Sequence, residues 1–257
     1  MNRLINLPFI GNFIREINDD AERMDLQGTM KNVIKKSRSK LIIKGINEKL
    51  ENILKHKPVI LVVNHPNDAE VLALIASLPK RNDIYLIINR RMTGVVPNLD
   101  KYLIPVYIDH HFNPKTHNKI ISYLLRKYHP KPLFSPEEEH RQNINSISIA
   151  AQRVNEGGLI IIFPGRRSID GHWFTGVGHL LKEVNNNNVY IVRVCVQGTS
   201  LIDYLRIIPG IGYFLPTVTI NFTEPLKLEE IFNNDPKQIT KILENLYNKW
   251  TQTIVKI

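Results

Sequence analysis

The sequence predicts an α/β fold: a central, mostly parallel mixed sheet flanked by helices, with helical additions at both ends. Three observations predict it. Short runs of oily, often β-branched residues recur at 59–63, 84–88, 159–163 and 189–196, each the length of a strand. They run nearly unbroken rather than alternating with polar residues, so both faces of the sheet should be covered, as in parallel sheets. Segments of helical spacing separate them, and strands alternating with helices imply crossover connections.

In chain order, residues 1–17 carry Leu4, Leu7, Ile10, Phe13, Ile14 and Ile17 near one helical face, interrupted by Pro8 and Gly11. The stretch lacks a charged leader and a small-residue cleavage site, so it does not read as a signal peptide. It either packs on the domain as a helical pair or lies among lipid headgroups, and the weakness of the face favours packing. Residues 25–39 read as a basic helix, 39–45 as a strand and 48–55 as a short amphipathic helix. Residues 59–63 form a buried strand that stops at Asn64-His65. Pro66 suits the first position of a helix, where its missing N–H costs nothing, and 67–78 continues as that helix. A strand at 84–88 leads to Asn89-Arg90-Arg91-Met92 and a loop marked by Pro and Gly.

The strand at 103–108 contains Pro105 and therefore belongs near an edge or at a bulge. Residues 118–128 have helical spacing, and 129–136, with three prolines, read as a loop. Glu137-Glu138-Glu139 reads as a solvated charge run. A helix over 144–155 ends at Gly157-Gly158. The strand at 159–163 ends in Pro164-Gly165-Arg166-Arg167-Ser168. A helix at 177–184, a polar turn at 185–188 and strands at 189–196 and 218–222 follow. Residues 228–254 hold one or two helices, with Asp235-Pro236 between them. The chain is effectively one domain: an N-terminal helical segment (1–39), an α/β domain (40–225) and C-terminal helices (226–257).

With 34 Lys+Arg against 24 Asp+Glu, the formal charge of +10 favours anionic partners such as nucleic acid, anionic lipid or phosphorylated substrates. The charges read as scattered rather than blocked. No basic face interleaved with aromatics and no known module supports nucleic-acid binding, which is therefore not expected. The lone Cys195 excludes an internal disulfide and a cysteine-based zinc site, and its oily surroundings make it a core residue. His110, His111, His117, His129 and His140 match no metal-ligand spacing, so no metal is expected. No run approaches the ~20 apolar residues of a spanning helix. Trp173 and Phe174 suit an acyl channel or core packing equally. Residues 204–214, with Pro209, Gly210 and Gly212 among oily side chains, suit either a membrane contact or a buried loop.

Candidate chemistry gathers at two strand ends. His65 stands at the end of one strand where a helix begins, with Asp68 and Glu70 within reach, and α/β folds collect their sites at such ends. Arg166-Arg167 follow another oily strand. A general base beside two guanidinium groups suits chemistry on a phosphorylated hydroxyl compound.

These residues resemble the glycerolipid acyltransferases, the family of glycerol-3-phosphate and lysophosphatidate acyltransferases. Its first motif, Asn-His-x-x-x-x-Asp, is matched by residues 64–70 with Glu70 in the acid's place. Its third, Phe-Pro-Glu-Gly-Thr-Arg-Ser, is matched by Phe163-Pro164-Gly165-Arg166-Arg167-Ser168, one residue shorter. Phe174-Thr175-Gly176, the helix to Val184 and the strand at 189–194 follow in the family's order, and 44–47 and 58–63 fit the lead-in. The likeness spans roughly 40–200. The chain departs from the pattern at Glu70, at the missing Glu of the third motif, at Asp109-His110 in place of a terminal Asp-Arg, and at Arg193 in place of proline. Roughly 112–143 is an insertion relative to the compact pattern.

The resemblance implies transfer of a fatty acyl group from an acyl thioester, on coenzyme A or acyl carrier protein, to a hydroxyl of a glycerophosphate- or lysolipid-like acceptor. It implies His65 as general base and Glu70 as the acid that steadies it, with Asp68 as alternative. Asn64, Phe163, Pro164, Gly165, Arg166, Arg167 and Ser168 would form the substrate site. It also implies direct transfer without an acyl-enzyme, consistent with the absence of a Gly-x-Ser-x-Gly elbow. No tightly bound cofactor is expected, and the setting implied is the cytoplasmic, peripheral surface of a membrane. The alternative is a catalytically silent member that binds lipid or acyl carrier.

Overall fold

The computed structural model describes residues 8–64, 69–108, 132–165, 173–231 and 235–255. Helices α1 (Pro8–Arg23) and α2 (Leu26–Ser37) precede β1 (Leu41–Lys44), α3 (Glu48–His56), β2 (Val59–Val63), α4 (Ala69–Ser77), β3 (Ile84–Asn89) and β4 (Leu103–Val106). Then come α5 (Pro136–Asn155), β5 (Leu159–Ile162), α6 (Gly176–Glu183), β6 (Tyr190–Gln197), β7 (Val218–Phe222), β8 (Leu226–Lys227) and α7 (Pro236–Val255).

The strands form one sheet in the order β1-β7-β6-β2-β5-β3-β4, with β8 beside β6. Five neighbouring strands, β6, β2, β5, β3 and β4, are parallel, and β7 and β8 run antiparallel to β6. This is the mostly parallel mixed sheet expected. Pro105 lies on the edge strand β4, where the lost N–H removes no ladder bond from the interior.

Alternation along β2 divides the core. Val59, Leu61 and Val63 face α1–α4, whereas Ile60 and Val62 face α5, α6 and α7. All five are fully buried, so the uninterrupted oily run reflects a strand covered on both faces.

Local chemistry sets the helix ends. Asp25 caps α2 by accepting from the Gly28 N–H at 2.6 Å, and Asn47 caps α3 through the Leu50 N–H at 2.9 Å. The largest departure from expectation is α5, which begins at Pro136 rather than at 144. Ser135 caps it, Pro136 opens it, and Glu137-Glu138-Glu139 form its first turn, where carboxylates complement the helix dipole. The acidic run is thus a helix start: Glu137 is exposed as expected and Glu138 half-buried, but Glu139 is buried. The sequence does not predict the two-residue β8 or the 3-10 segments Arg90–Met92, Pro97–Tyr102, Leu201–Ile207 and Ile211–Tyr213. Residues 228–230 form a 3-10 turn, and the C-terminal helix starts at Pro236. The expected helix at 118–128 lies outside the described residues.

At the N terminus, Ile17 and Ala21 are buried and Phe13 packs on the core. Lys36 of α2 binds Glu16 at 2.5 Å and Asp20 at 3.1 Å on α1. Residues 8–23 therefore pack on the domain; residues 1–7 lie outside the described residues. No helix among the described residues is long and apolar enough to cross a membrane.

Helices α6 and α7 touch at Gly178, where a Cβ would fall 1.9 Å from the Pro236 carbonyl oxygen and 2.6 Å from Thr240 Oγ1. The contact has backbone on one side and cannot relax through a rotamer change. Gly178→Ala should therefore destabilise the fold by about 1–3 kcal/mol. That shift is several degrees of unfolding midpoint in a scanning calorimeter. An unchanged midpoint would show that the two helices slide apart freely.

Candidate functional site

The parallel strands all end on one rim of the sheet, and the register decides what meets there. Val62 on β2 lies opposite Ile162 on β5. The chain therefore leaves β2 at Asn64 and β5 at Pro164 at the same height, one strand spacing apart, about 4.8 Å. The two segments singled out from the sequence are neighbours although a hundred residues separate them.

Asn64 fixes the exit from β2. Its side-chain Nδ2 donates to the Val196 carbonyl at 2.8 Å, and its Oδ1 accepts from the Val196 N–H at 2.7 Å. The amide thus imitates one more rung of the β2–β6 ladder, and the Asn64 N–H donates to the Val194 carbonyl at 3.4 Å. A two-sided bond of this kind needs both a donor and an acceptor on one short side chain. The backbone is held to β6 up to the residue before position 65. His65, Pro66, Asn67 and Asp68 lie outside the described residues.

Glu70 is the second residue of α4 as described, and its side chain has no solvent exposure. A fully buried carboxylate is costly unless polar groups meet it, and the positive end of a helix dipole lowers that cost. The acid of the first motif is therefore an interior group, not a surface one. Buried Gln27 of α2 bonds to the carbonyls of Leu78 and Pro79, the latter at 3.0 Å, and so fixes the far end of α4.

Beyond β5, Phe163 is half-buried and Pro164 is buried. Gly165 forms an antiparallel bridge with Trp173, and the Phe174 N–H donates to the Pro164 carbonyl at 2.8 Å. The chain thus meets itself again at residues 165 and 173. The stretch between them, which includes Arg166, Arg167 and Ser168, lies outside the described residues.

An aromatic cluster anchors Trp173 to α7. The Trp173 and Tyr247 rings lie 5.4 Å apart, the Tyr247 and Trp250 rings 5.7 Å apart, and the Trp173 N–H donates to the Glu244 carboxylate at 3.2 Å. By sequence Trp173 suits an acyl channel or packing equally; in the fold it packs on α7.

The Tyr247 hydroxyl donates to the Val194 carbonyl at 3.1 Å, the same oxygen that receives the Asn64 N–H. Burial, then the nearby Cys195, push the Tyr247 hydroxyl pKa far up, and burial pushes the Cys195 thiol up. Both stay protonated at neutral pH, so neither adds a charge to this flank. Nothing in the sequence spacing ties Tyr247 to Asn64; only the sheet order does. Arg193, on the same face of β6, donates to the Leu246 carbonyl at 2.9 Å, and burial lowers its pKa. It ties β6 to α7.

Arg90 and Arg91 were passed over in the sequence. They form a 3-10 turn at the end of β3, next to β5, and both are half-buried on the rim. The Asn89 side chain accepts from the Arg91 N–H at 3.0 Å, and the Arg90 guanidinium lies 5.9 Å from the centre of the Tyr107 ring. The signal was present: an arginine pair directly after an oily strand, the pattern that drew attention to 166–167. Asp109 and His110, where the family has its second motif, lie outside the described residues. Among the described residues no cluster of metal-ligating side chains occurs.

No protein-family profile matches the chain, and no curated protein matches it. A solved structure does. The crystal structure of the 1-acyl-sn-glycerophosphate (LPA) acyltransferase PlsC from Thermotoga maritima aligns with a TM-score of 0.50 and 17% identity, covering 94% of this chain and 79% of that one. The two chains share a fold. At that identity the likeness is one of architecture, and it agrees with the α/β class expected from the sequence.

Proposed function

We propose that the chain is an O-acyltransferase that moves a fatty acyl group from an acyl thioester to a hydroxyl of a glycerophosphate- or lysolipid-like acceptor. The observation that carries this reading is the β2–β5 register, which sets the strand exits at Asn64 and Pro164, at the starts of the first and third motifs, side by side. The fold neighbour, named as acting on 1-acyl-sn-glycerophosphate, supports the acceptor class.

In this reading His65 Nε2 takes the proton of the acceptor hydroxyl as the oxygen attacks the thioester carbonyl. Glu70 accepts from the other ring nitrogen, fixes the tautomer and stabilises the imidazolium. The carbon–sulfur bond breaks, the proton passes from the imidazolium to the leaving sulfur, and the products are an ester and a free thiol. Arg166 and Arg167, joined by Arg90 and Arg91 from the adjoining strand end, hold the acceptor phosphate. The acyl carrier is coenzyme A or acyl carrier protein, the acceptor is drawn from a membrane surface, and no tightly bound cofactor takes part.

The test is incubation of the purified full chain with radiolabelled acyl-CoA or acyl carrier protein and a panel of acceptors. Labelled ester should form with glycerol-3-phosphate or lysophosphatidate and fall sharply with acceptors lacking a phosphate monoester. Retention of lipid or acyl carrier without transfer to any acceptor would instead identify a catalytically silent binder, a reading fed by the altered third motif.

A further inference from the structure

We propose that the β6–β7 connection, together with the adjoining end of α2 and β1, is the surface by which the protein docks on an anionic lipid bilayer. The connection leaves β6 at Gln197 and returns at Val218, on the rim where Asn64 grips Val196. It comprises two 3-10 segments, Leu201–Ile207 and Ile211–Tyr213.

Its outer face is apolar to an unusual degree. Phe214 is 80% exposed, Ile202 57%, Tyr213 54%, Leu205 46% and Ile208 42%. Single exposed apolar side chains need no explanation, but five within thirteen residues form a patch. The only charged residues of the connection, Asp203 and Arg206, are buried and paired with each other at 2.5 Å, so neither faces outward.

The patch abuts a ridge of one sign. Residues 31–44 contain six Lys or Arg and no acid. The charge that reads as scattered over the chain is locally a block. The two parts are fixed to each other: the Gly210 N–H donates to the Lys36 carbonyl at 3.0 Å, Arg206 donates to Ser39 Oγ at 2.9 Å, and Lys40 Nζ stands 4.0 Å from the Tyr213 ring centre. Gly212 lies so close to Ser37 and Ser39 that a Cβ would fall 2.6 Å from the Ser37 carbonyl oxygen. Lys36 is neutralised by Glu16 and Asp20, but Lys35, Arg38 and Lys40 are exposed.

Aromatic and aliphatic side chains that enter the acyl boundary, bordered by cations at headgroup height, match an anionic phospholipid surface. A chain of net charge +10 adds long-range attraction to such a surface. The position on the site rim would bring a lipid-borne acceptor to the strand ends. The surface rests on the acyltransferase reading only in that last respect, since docking is measured without turnover.

The experiment is sedimentation of the full chain with phosphatidylcholine vesicles, with and without phosphatidylglycerol. Binding should require the anionic lipid and weaken with salt. Phe214→Asp should lower the partition coefficient by about 10–100-fold, since the lost side chain is a whole buried aromatic. Reversing Lys35, Arg38 and Lys40 to Glu should lower it by about 100-fold or more, at roughly fivefold per cation. All these side chains are exposed, and circular dichroism checks that the variants fold. Equal binding of parent and variants, or none to anionic vesicles, overturns the proposal. So does loss of a dimer, or of acyl carrier protein binding, in these variants without any vesicle binding. Acyl transfer to a detergent-dispersed acceptor, intact in both variants, would separate failure of the docking surface from failure of the enzyme reading.

Discussion

Replacing His65 with alanine should lower kcat/KM for acyl transfer by about 10²–10⁴-fold, the usual worth of a positioned general base. The base is positioned from one residue earlier. Asn64 is locked to β6 by two side-chain bonds at 2.7 and 2.8 Å, so the backbone entering position 65 has a fixed direction. A base is useful only when it sits within hydrogen-bond reach of the proton it removes, and a fixed exit from a buried strand meets that need better than a loop. The acceptor hydroxyl is a poor nucleophile without proton removal. The loss should therefore appear in kcat, with KM for the acceptor little changed. Initial rates over a range of lysophosphatidate concentrations check this. A His65→Ala protein within about threefold of the parent would remove His65 from the chemistry.

Glu70→Gln should cost about 10²–10⁴-fold as well, because it keeps the shape of the side chain and removes the charge that stabilises the imidazolium. Glu70 has no exposure and sits in the first turn of α4, so its carboxylate is surrounded by protein rather than screened by water. The isosteric amide should fold. The rival acid is tested in parallel: Asp68→Asn should leave most of the activity. The two essential groups act as one unit, so the His65→Ala/Glu70→Gln double variant should be little worse than His65→Ala alone. Additive losses would mean that Glu70 acts apart from the base. Loss with Asp68→Asn and not with Glu70→Gln would transfer the role to Asp68.

The sheet was legible because its strands are oily on both faces. Val59–Val63 and Leu159–Ile162 are fully buried, and such runs admit few other readings. Pro105 announced an edge strand through its missing donor. The start of α5 was misread because three glutamates resemble a solvated run until Ser135 and Pro136 are recognised as cap and first residue. The fold neighbour agrees with the architecture expected.

The candidate site was only partly legible. Asn64, Glu70 and 163–165 could be named because short motifs mark them. The Tyr247 bond to the Val194 carbonyl could not be foreseen, since it depends on α7 crossing β6, a contact between segments 53 residues apart. Arg90 and Arg91 were missed for another reason. Their strand, β3, neighbours β5 in space although β4 and α5 intervene in sequence. For residues 204–214 the sequence leaves a membrane contact and a buried loop equally open, because oily residues around Pro and Gly look the same whether buried or bare.

The most direct measurement is the stoichiometry of a single reaction: acyl-CoA or acyl carrier protein, lysophosphatidate and the full chain, followed by mass spectrometry of the lipid and titration of the released thiol. One diacyl product should form for each thiol freed, with both lost together in His65→Ala. Thiol release without new ester, or no release from either donor with any phosphorylated acceptor, would contradict acyl transfer.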